Sequence, residues 1–203
     1  MGAYQDVLKS LLHQCCRAMA HIHSLHIVHR DLRLDNFLVA GQTTHPVTHA
    51  VTSLHVVLND FGLAYIIPDG VSSTTADMPH GPSAWMAPEV ASSDAEAVVV
   101  SKAADVYMFG CLAFEMLSGG RRPWFWIGGV GVEDKFTLEQ RRETANLNLF
   151  KEAQDMGKLS REAVGLLAPR TLELLTACVE VDPAKRPKAV DLRDHFELLC
   201  VEL

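Results

Sequence analysis

The sequence predicts a mainly α (α+β) domain, a helical bundle that carries one small β-hairpin in its N-terminal half. Apolar residues recur at intervals of three and four near the start of the chain and again through its C-terminal half, as they do along one face of a helix. Two short apolar runs flank a polar stretch rich in Thr and His, which is typical of paired strands. The length of 203 residues suits one packed domain.

The elements of the N-terminal half begin with a long helix, predicted from Val7 to about Leu25. The hairpin strands are expected at Phe37-Leu38-Val39 and from Leu54 to Leu58. From Pro68 to Pro82 the chain is mostly Gly, Ser, Thr, Asp and Pro, which predicts a long mobile loop. Loops of this length in a compact domain are usually functional or disordered.

The C-terminal half is expected to be helical. The segment from Asp105 to Leu117, DVYMFGCLAFEML, is nearly all apolar, which predicts a core helix buried on every side. A charged helix is expected from Thr137 to about Ala153, and the Arg141-Arg142 pair on it is interpreted as a solvated face. Apolar positions from Leu172 to Val179 and from Val190 to Leu199 predict two more helices.

Charge and cysteine content argue against several classes of function. Lys and Arg number 18 against 25 Asp and Glu, and no basic run exceeds a pair, so we expect no nucleic-acid partner. The five cysteines are odd in number and lack C-x-x-C spacing, which favours a reducing compartment. No apolar run approaches the about 18 residues that span a bilayer. We expect a cytoplasmic chain, or the cytoplasmic part of a larger protein.

The segment HRDLRLDN places three polar groups just before the first hairpin strand. The Asp31 carboxylate can orient a hydroxyl and take its proton, the Arg33 cation can offset phosphoryl charge, and the Asn36 oxygen can bind Mg²⁺. A second carboxylate, Asp60, follows the next strand in the triplet DFG, so two magnesium-binding groups are expected to meet from adjacent strand ends. These residue types predict phosphoryl transfer.

Five motifs in order give the chain its resemblance to the C-terminal lobe of eukaryotic protein kinases. They are HRDLRLDN, DFG, APE, DVYMFG and the late Arg186 in DPAKRP, and the resemblance covers Tyr4 to Leu199. The resemblance implies a partial protein kinase domain over residues 1–203, with a catalytic loop at 29–36 and an activation segment at 60–89. It also implies ATP and Mg²⁺ as cofactors and a protein as substrate.

The resemblance also assigns roles, position by position, within the site. Asp31 matches the catalytic base, and Arg33 stands where serine/threonine kinases usually carry Lys. Asn36 and Asp60 match the magnesium ligands, and Leu38 falls where the family packs a hydrophobe beneath adenine.

Further matches concern regulation and structure rather than chemistry. Arg30 resembles the family's pocket for a phosphate on the activation segment. His29 and Phe61 match the family's regulatory stack, and Asp105 matches the residue that anchors it. Glu89 and Arg186 match the family's buried ion pair. The candidates to carry the phosphate are Ser72, Ser73, Thr74 and Thr75.

Departures from the family leave alternatives open. No glycine-rich loop, strand Lys or helix Glu precedes Tyr4, so we expect the N-terminal lobe to be absent from this chain. Without that lobe the isolated chain is expected to be a poor enzyme. The rival hypothesis is a kinase-like binding module. Between Asn36 and Asp60 lie 23 residues, about twice the family's need, so GQTTHPVTHAV is expected to be a surface insertion.

Specificity also has two readings. Pro82 stands where serine/threonine kinases place Thr, as in tyrosine kinases, whereas Ala84 replaces a basic residue usual in tyrosine kinases. Trp85-Met86 is shared with the tyrosine-kinase-like serine/threonine group, which we favour over a tyrosine kinase. The segment from Trp124 to Trp126 is expected to pack on the helical body, although docking of a partner is an alternative. The histidines from His21 to His29 lie close together in the sequence, but we expect them not to form a metal site.

Overall fold

The computed structural model describes residues 2–77, 81–93, 97–127, 137–159 and 168–201, and helices dominate this part of the chain. The helices are α1 (Gly2–Ser24), α2 (Pro88–Ala91), α3 (Lys102–Leu117), α4 (Leu138–Glu143), α5 (Leu149–Asp155), α6 (Pro169–Cys178) and α7 (Ala189–Val201). The strands are β1 (Ile27–Val28), β2 (Phe37–Thr44), β3 (Val51–Leu58), β4 (Tyr65–Ile66), β5 (Ser73–Ala76) and β6 (Val98–Ser101). The mainly helical fold with small sheets is confirmed.

The strands form three antiparallel pairs, β1 with β4, β2 with β3, and β5 with β6. The hairpin β2–β3 opens with Phe37 opposite Leu58, directly after the segment HRDLRLDN. Each of its strands has eight residues, more than the apolar runs predicted. Most of the stretch GQTTHPVTHAV therefore extends this hairpin away from the body, and its residues are largely exposed.

One side chain of α1 holds the outer edge of the hairpin. The Gln14 carboxamide donates through Nε2 to the Leu54 carbonyl at 2.8 Å and accepts at Oε1 from the Val56 amide at 2.9 Å. The carboxamide thus bonds to β3 as a neighbouring strand would, and it satisfies an edge that would otherwise be unpaired. This contact holds the middle of β3 against α1, and β3 continues to Leu58, which lies opposite Phe37 at the base of the hairpin.

Helix α3 forms the centre of the core, as its apolar sequence predicts. Between Ala104 and Leu117 every residue except Met116 is buried. The helix begins where the Ser101 hydroxyl accepts a hydrogen bond from the Ala104 amide at 3.0 Å, an N-cap. Gly110 allows close packing against α6, because a Cβ there would lie 2.6 Å from Cγ1 of Val179.

Two predicted elements differ in the structure. The expected loop after Pro68 contains β5, because the β-branched Thr74 and Thr75 pair with Val100 and Val99 of β6. The single charged helix expected between Thr137 and Ala153 is two helices, α4 and α5. Asn148 begins α5 as an N-cap that accepts from the Phe150 and Lys151 amides, so the first helix ends before it.

Aromatic packing follows the prediction for the Trp-rich segment. Trp124 is fully buried, and Trp126 packs against Phe114 of α3 with ring centroids 5.9 Å apart. Within the described ranges, none of the helices has the length and hydropathy needed to cross a membrane.

Candidate active site

The backbone of His29 and Arg30, at the start of the predicted catalytic loop, is held by a buried carboxylate of α3. Asp105 is fully buried, and its Oδ2 accepts from the His29 amide while its Oδ1 accepts from the Arg30 amide, both at 2.8 Å. His23 Nε2 lies 2.9 Å from the same Oδ2. A buried carboxylate with three polar partners is well satisfied, so the core helix fixes the backbone just before Asp31.

His29 links the catalytic loop to the DFG triplet. Its ring Nε2 lies 3.0 Å from the Asn59 carbonyl, and its ring meets Phe61 edge-on with centroids 4.9 Å apart. The two motifs therefore lie in contact, although 31 positions separate His29 from Asp60 in the sequence. Phe61 is 47% exposed, so this stack is open to solvent on one side.

Asp31 and Asn36 form the polar centre of the loop. The Asn36 Nδ2 group donates to the Asp31 carbonyl at 2.7 Å and to Asp31 Oδ2 at 2.8 Å. Since both amide protons serve Asp31, the carboxamide oxygen of Asn36 is left for another ligand. Asp31 Oδ1 is buried without a hydrogen-bond partner and lies 3.4 Å from Arg33 Nε.

Two residues at the site have left-handed backbone conformations that non-glycine residues seldom adopt. Arg30 has φ 69° and Asp60 has φ 60°. Such conformations cost free energy and concentrate at functional sites. At Asp60 the side chain is exposed, and Oδ1 accepts from the Gly62 amide at 3.2 Å.

The expected phosphate pocket and its candidate partners occupy different environments. Arg30 is 7% exposed, its Nη1 donates to the Leu63 carbonyl at 3.1 Å, and burial lowers the pKa of its guanidinium. Of the candidate carriers, Ser72, Ser73 and Thr75 are exposed, whereas Thr74 is half-buried on the inner face of β5.

The segment before the APE motif lies directly on the catalytic loop. A Cβ at Gly81 would lie 2.7 Å from the Arg30 carbonyl oxygen, a distance that only a glycine permits. Trp85 is buried, and its ring lies 5.7 Å from the Arg33 guanidinium. Residues 81–85 therefore approach residues 29–36 at two places, through the backbone at Gly81 and Arg30 and through side chains at Trp85 and Arg33.

A buried acid lies behind Trp85. Glu115 Oε2 accepts from Trp85 Nε1 at 2.9 Å, and the Leu34 backbone amide also bonds to this carboxylate. Burial raises the pKa of Glu115 to about 7 despite these two donors. Sequence reasoning missed this residue because an acid within an apolar helix carries no signal of what it faces.

The end of the activation segment is tied to the helical body by Arg186. Its Nη1 and Nη2 bond to the two carboxylate oxygens of Glu89 at 2.7 and 2.8 Å. The same guanidinium donates to the carbonyls of Ala103, Glu180 and Val181.

One prediction about a charged pair is wrong. Arg141 is fully buried, whereas only its neighbour Arg142 has the exposure expected of a solvated face. The α4 helix turns the Arg141 side chain toward Tyr107, whose hydroxyl accepts from Nη2 at 2.8 Å. A doublet of arginines gives no periodicity, so the sequence pattern could not distinguish the two.

The donor set fits the expected cofactors. An amide oxygen at Asn36 and a carboxylate at Asp60 are ligands that Mg²⁺ prefers. At the base of the hairpin, Leu38 is 47% exposed and offers an apolar surface of the kind on which a purine ring can lie. In the described ranges, no group of three or more His, Cys, Asp or Glu side chains could hold a metal ion. That the histidines from His21 to His29 do not bind a metal stays a prediction.

Comparisons with known proteins identify a family. The family model described as protein tyrosine and serine/threonine kinase matches residues 3–196. The chain is 29% identical over 98% of its length to the MAP kinase kinase kinase mkh1 of Schizosaccharomyces pombe, and 38% identical over 56% to the human serine/threonine-protein kinase/endoribonuclease IRE2. It is 26% identical over 95% to the tyrosine-protein kinase SPK-1 of Girardia tigrina. The chain spans 15%, 12% and 33% of these relatives' own lengths.

Proposed function

This chain belongs to the protein tyrosine and serine/threonine kinase family, and from that premise we propose that it transfers the γ-phosphoryl group of ATP to serine and threonine hydroxyls of proteins. In this proposal residues 29–36 are the catalytic loop and residues 60–89 the activation segment of a partial kinase domain. The proposed substrate is a protein, and nucleic acid is not part of the proposal.

The observation that carries the proposal is the bonded pair of Asp31 and Asn36. One carboxylate oxygen of Asp31 is engaged by the Asn36 amide at 2.8 Å, and the other has no hydrogen-bond partner. Asp31 would orient the acceptor hydroxyl through its carboxylate and take the proton as the hydroxyl oxygen attacks phosphorus. Arg33, 3.4 Å from Asp31 Oδ1, would supply positive charge beside the transferred group.

Asn36 and Asp60 would hold magnesium, and Leu38 would lie beneath the adenine ring. A magnesium ion held by these two residues would supply positive charge that offsets the negative charge developing during transfer. The left-handed backbone of Asp60 presents its carboxylate outward. The contact between His29 and Phe61 would keep that carboxylate in register with the catalytic loop.

Support for serine and threonine over tyrosine comes from the relatives. Two of those named above are called MAP kinase kinase kinase and serine/threonine-protein kinase, and one is called a tyrosine-protein kinase. Pro82, the residue that resembles tyrosine kinases, begins a 3₁₀ turn at Ser83–Trp85, which fits the fixed φ of proline. Pro82 is therefore also explained by the backbone conformation at this turn, and its presence does not by itself indicate a tyrosine kinase.

An intracellular location belongs to the same proposal. All five cysteines are unpaired thiols, and burial raises the pKa of the Cys15, Cys111 and Cys178 thiols well above the usual range. Unpaired thiols are typical of proteins from reducing compartments.

The proposal is tested by supplying the native protein with ATP labelled at the γ-phosphate, Mg²⁺ and a generic protein substrate, and then identifying the labelled amino acid. Phosphoserine or phosphothreonine is expected, and Asp60→Asn is expected to abolish the label. Asp69→Asn is the matched control, because Asp69 is 92% exposed and contacts His26 alone among the described residues. Phosphotyrosine would overturn the specificity, and no transfer would favour the binding module.

A further inference from the structure

A buried cation lies under the activation segment, outside the motifs that define the family. The Arg141 guanidinium is fully buried between Tyr107 and Trp124, 5.2 and 5.6 Å from their ring centroids. In the described part of the chain no aspartate or glutamate pairs with it. Burying an unpaired charge is costly, so apolar residues of similar size would fill this space at lower cost.

Arg141 donates hydrogen bonds to three acceptors on different elements, which fixes their relative positions. Its Nε donates to the Met86 carbonyl at 2.6 Å, its Nη1 to Thr144 Oγ1 at 3.0 Å and its Nη2 to the Tyr107 hydroxyl at 2.8 Å. Thr144 and Tyr107 hold the planar guanidinium in one orientation, since each accepts from a different nitrogen. The first of these bonds is the one that reaches the activation segment.

The neighbouring arginine holds the other end of the same segment. Arg142 Nε donates to the Ala91 carbonyl at 2.6 Å, and Nη2 lies 3.5 Å from the Ser93 carbonyl. These carbonyls lie at the end of α2, where helix carbonyls lack partners within the helix. The doublet therefore bonds the chain just before α2 and at its end, while Arg186 holds Glu89 between them.

Fixing Met86 also fixes the residue beside the catalytic loop. Trp85 precedes Met86, lies 5.7 Å from the Arg33 guanidinium, and donates to Glu115, which in turn accepts from the Leu34 amide. A displaced Met86 carbonyl would move Trp85 and loosen Arg33 from Asp31. Trp85 thus lies next to Arg33, which lies beside the Asp31 carboxylate where the proposed acceptor hydroxyl would bind.

We infer that Arg141 is a positioning residue that sets the place of the protein substrate by fixing the Met86 carbonyl. The inference rests on the proposed function for its catalytic consequence, whereas its structural half stands alone. Arg142 has the same role at the far end of α2 with less effect, because its contacts lie farther along the chain from Trp85. Nucleotide binding is not involved, since neither arginine bonds to residues 36–38 or 60.

The test compares Arg141→Lys with Arg170→Lys in the native protein. Lysine keeps the charge but lacks the planar fork that reaches three acceptors at once. Arg170 is 71% exposed and contacts Glu173 at 3.4 Å, so the same chemical change there serves as the control. Hydrogen exchange of amides in residues 81–93 is measured together with kcat and with KM for protein substrate and for ATP.

We expect Arg141→Lys to accelerate exchange in that segment and to raise KM for the protein about tenfold, with KM for ATP within about twofold. The control should change none of these. Thr144→Val, which removes one of the acceptors that orient Arg141, should give a smaller change of the same kind and covers the case in which Arg141→Lys does not fold.

Unchanged exchange in residues 81–93 would overturn the positioning role. Faster exchange with an unchanged KM for protein, and only a lower melting temperature, would reduce Arg141 to a structural residue. If the unaltered protein transfers no phosphate, the proposed function fails by itself, and the exchange measurement still decides whether Arg141 fixes the segment.

Discussion

Arg186 and Glu89, 97 positions apart, meet through two parallel hydrogen bonds of 2.7 and 2.8 Å. The Arg186 side chain is fully buried and that of Glu89 is 19% exposed. A paired geometry of this kind joins the end of the activation segment to the turn before α7. The proposed activation segment is thereby tied to the helical body at its C-terminal end.

Replacing Arg186 by alanine is expected to lower the free energy of unfolding by about 3 kcal/mol, because it leaves the Glu89 carboxylate without its partner. Denaturant titration measures the change. Arg193→Ala is the control, since Arg193 forms its ion pair with Asp194, whose side chain is 57% exposed. Equal stability of the two variants would refute the structural role of the pair.

A methyl group at Gly81 is expected to separate the activation segment from the catalytic loop. Gly81→Ala would place a Cβ 2.7 Å from the Arg30 carbonyl oxygen, so the backbone has to shift, at a cost of about 1–3 kcal/mol. Gly41→Ala is the matched control, because the nearest atom to its Cβ is 3.9 Å away. Thermal unfolding that is the same for both variants would contradict the close contact.

Glu115 predicts a pH dependence of stability. Its pKa is about 7 in the folded protein, against an ordinary value of 4.5, so the folded state binds the proton more tightly. The contribution of this group is complete below pH 4.5 and is lost as the pH rises through 7. Glu115→Gln, a neutral mimic, should therefore exceed the original stability by up to about 3 kcal/mol above pH 7.

Urea midpoints between pH 5 and pH 8 measure this difference, which should shrink toward zero at the acidic end. A difference between Glu115→Gln and the unaltered protein that stays constant over the range would show that Glu115 is ionised throughout.

The strand β5 predicts which hydroxyls receive phosphate. Ser73 and Thr75 face solvent, whereas Thr74 lies on the face that brings Ala76 against the cluster of Val28, Ile67 and Val100. A modifying enzyme needs an accessible hydroxyl, so phosphate is expected on the exposed residues and not on Thr74. Mass spectrometry of the protein isolated from cells reads this directly, and phosphate on Thr74 would mean that β5 opens.

Sequence patterns predicted the helices of the core and the residues that meet around Asp31. Long apolar periodicity identified α1 and α3, because burial dictates residue type along a whole helix. The polar centre could be predicted because a carboxylate, a cation and an amide within one short segment are the groups that phosphoryl transfer requires. Asn36 lies five positions after Asp31, so the two side chains can meet within one loop, as they do.

Other features depend on contacts that no local pattern encodes. Arg141 is buried because Tyr107, Thr144 and Met86 happen to offer acceptors in one place. The strand β5 exists because β6 lies beside it, so turn-rich composition around it was misleading. The break before Asn148 was missed because an N-cap inside a charged run looks like one more polar residue.

In the proposed reaction, Asp31 takes the proton from the acceptor hydroxyl during phosphoryl transfer. The direct measurement is kcat of the native protein against Asp31→Asn, with Asp194→Asn, an exposed aspartate bonded to Arg193, as control. We expect kcat to fall at least about a hundredfold in Asp31→Asn and to stay unchanged in the control. Transfer by Asp31→Asn at the original rate, in a protein that folds normally, would show that Asp31 does not take the proton.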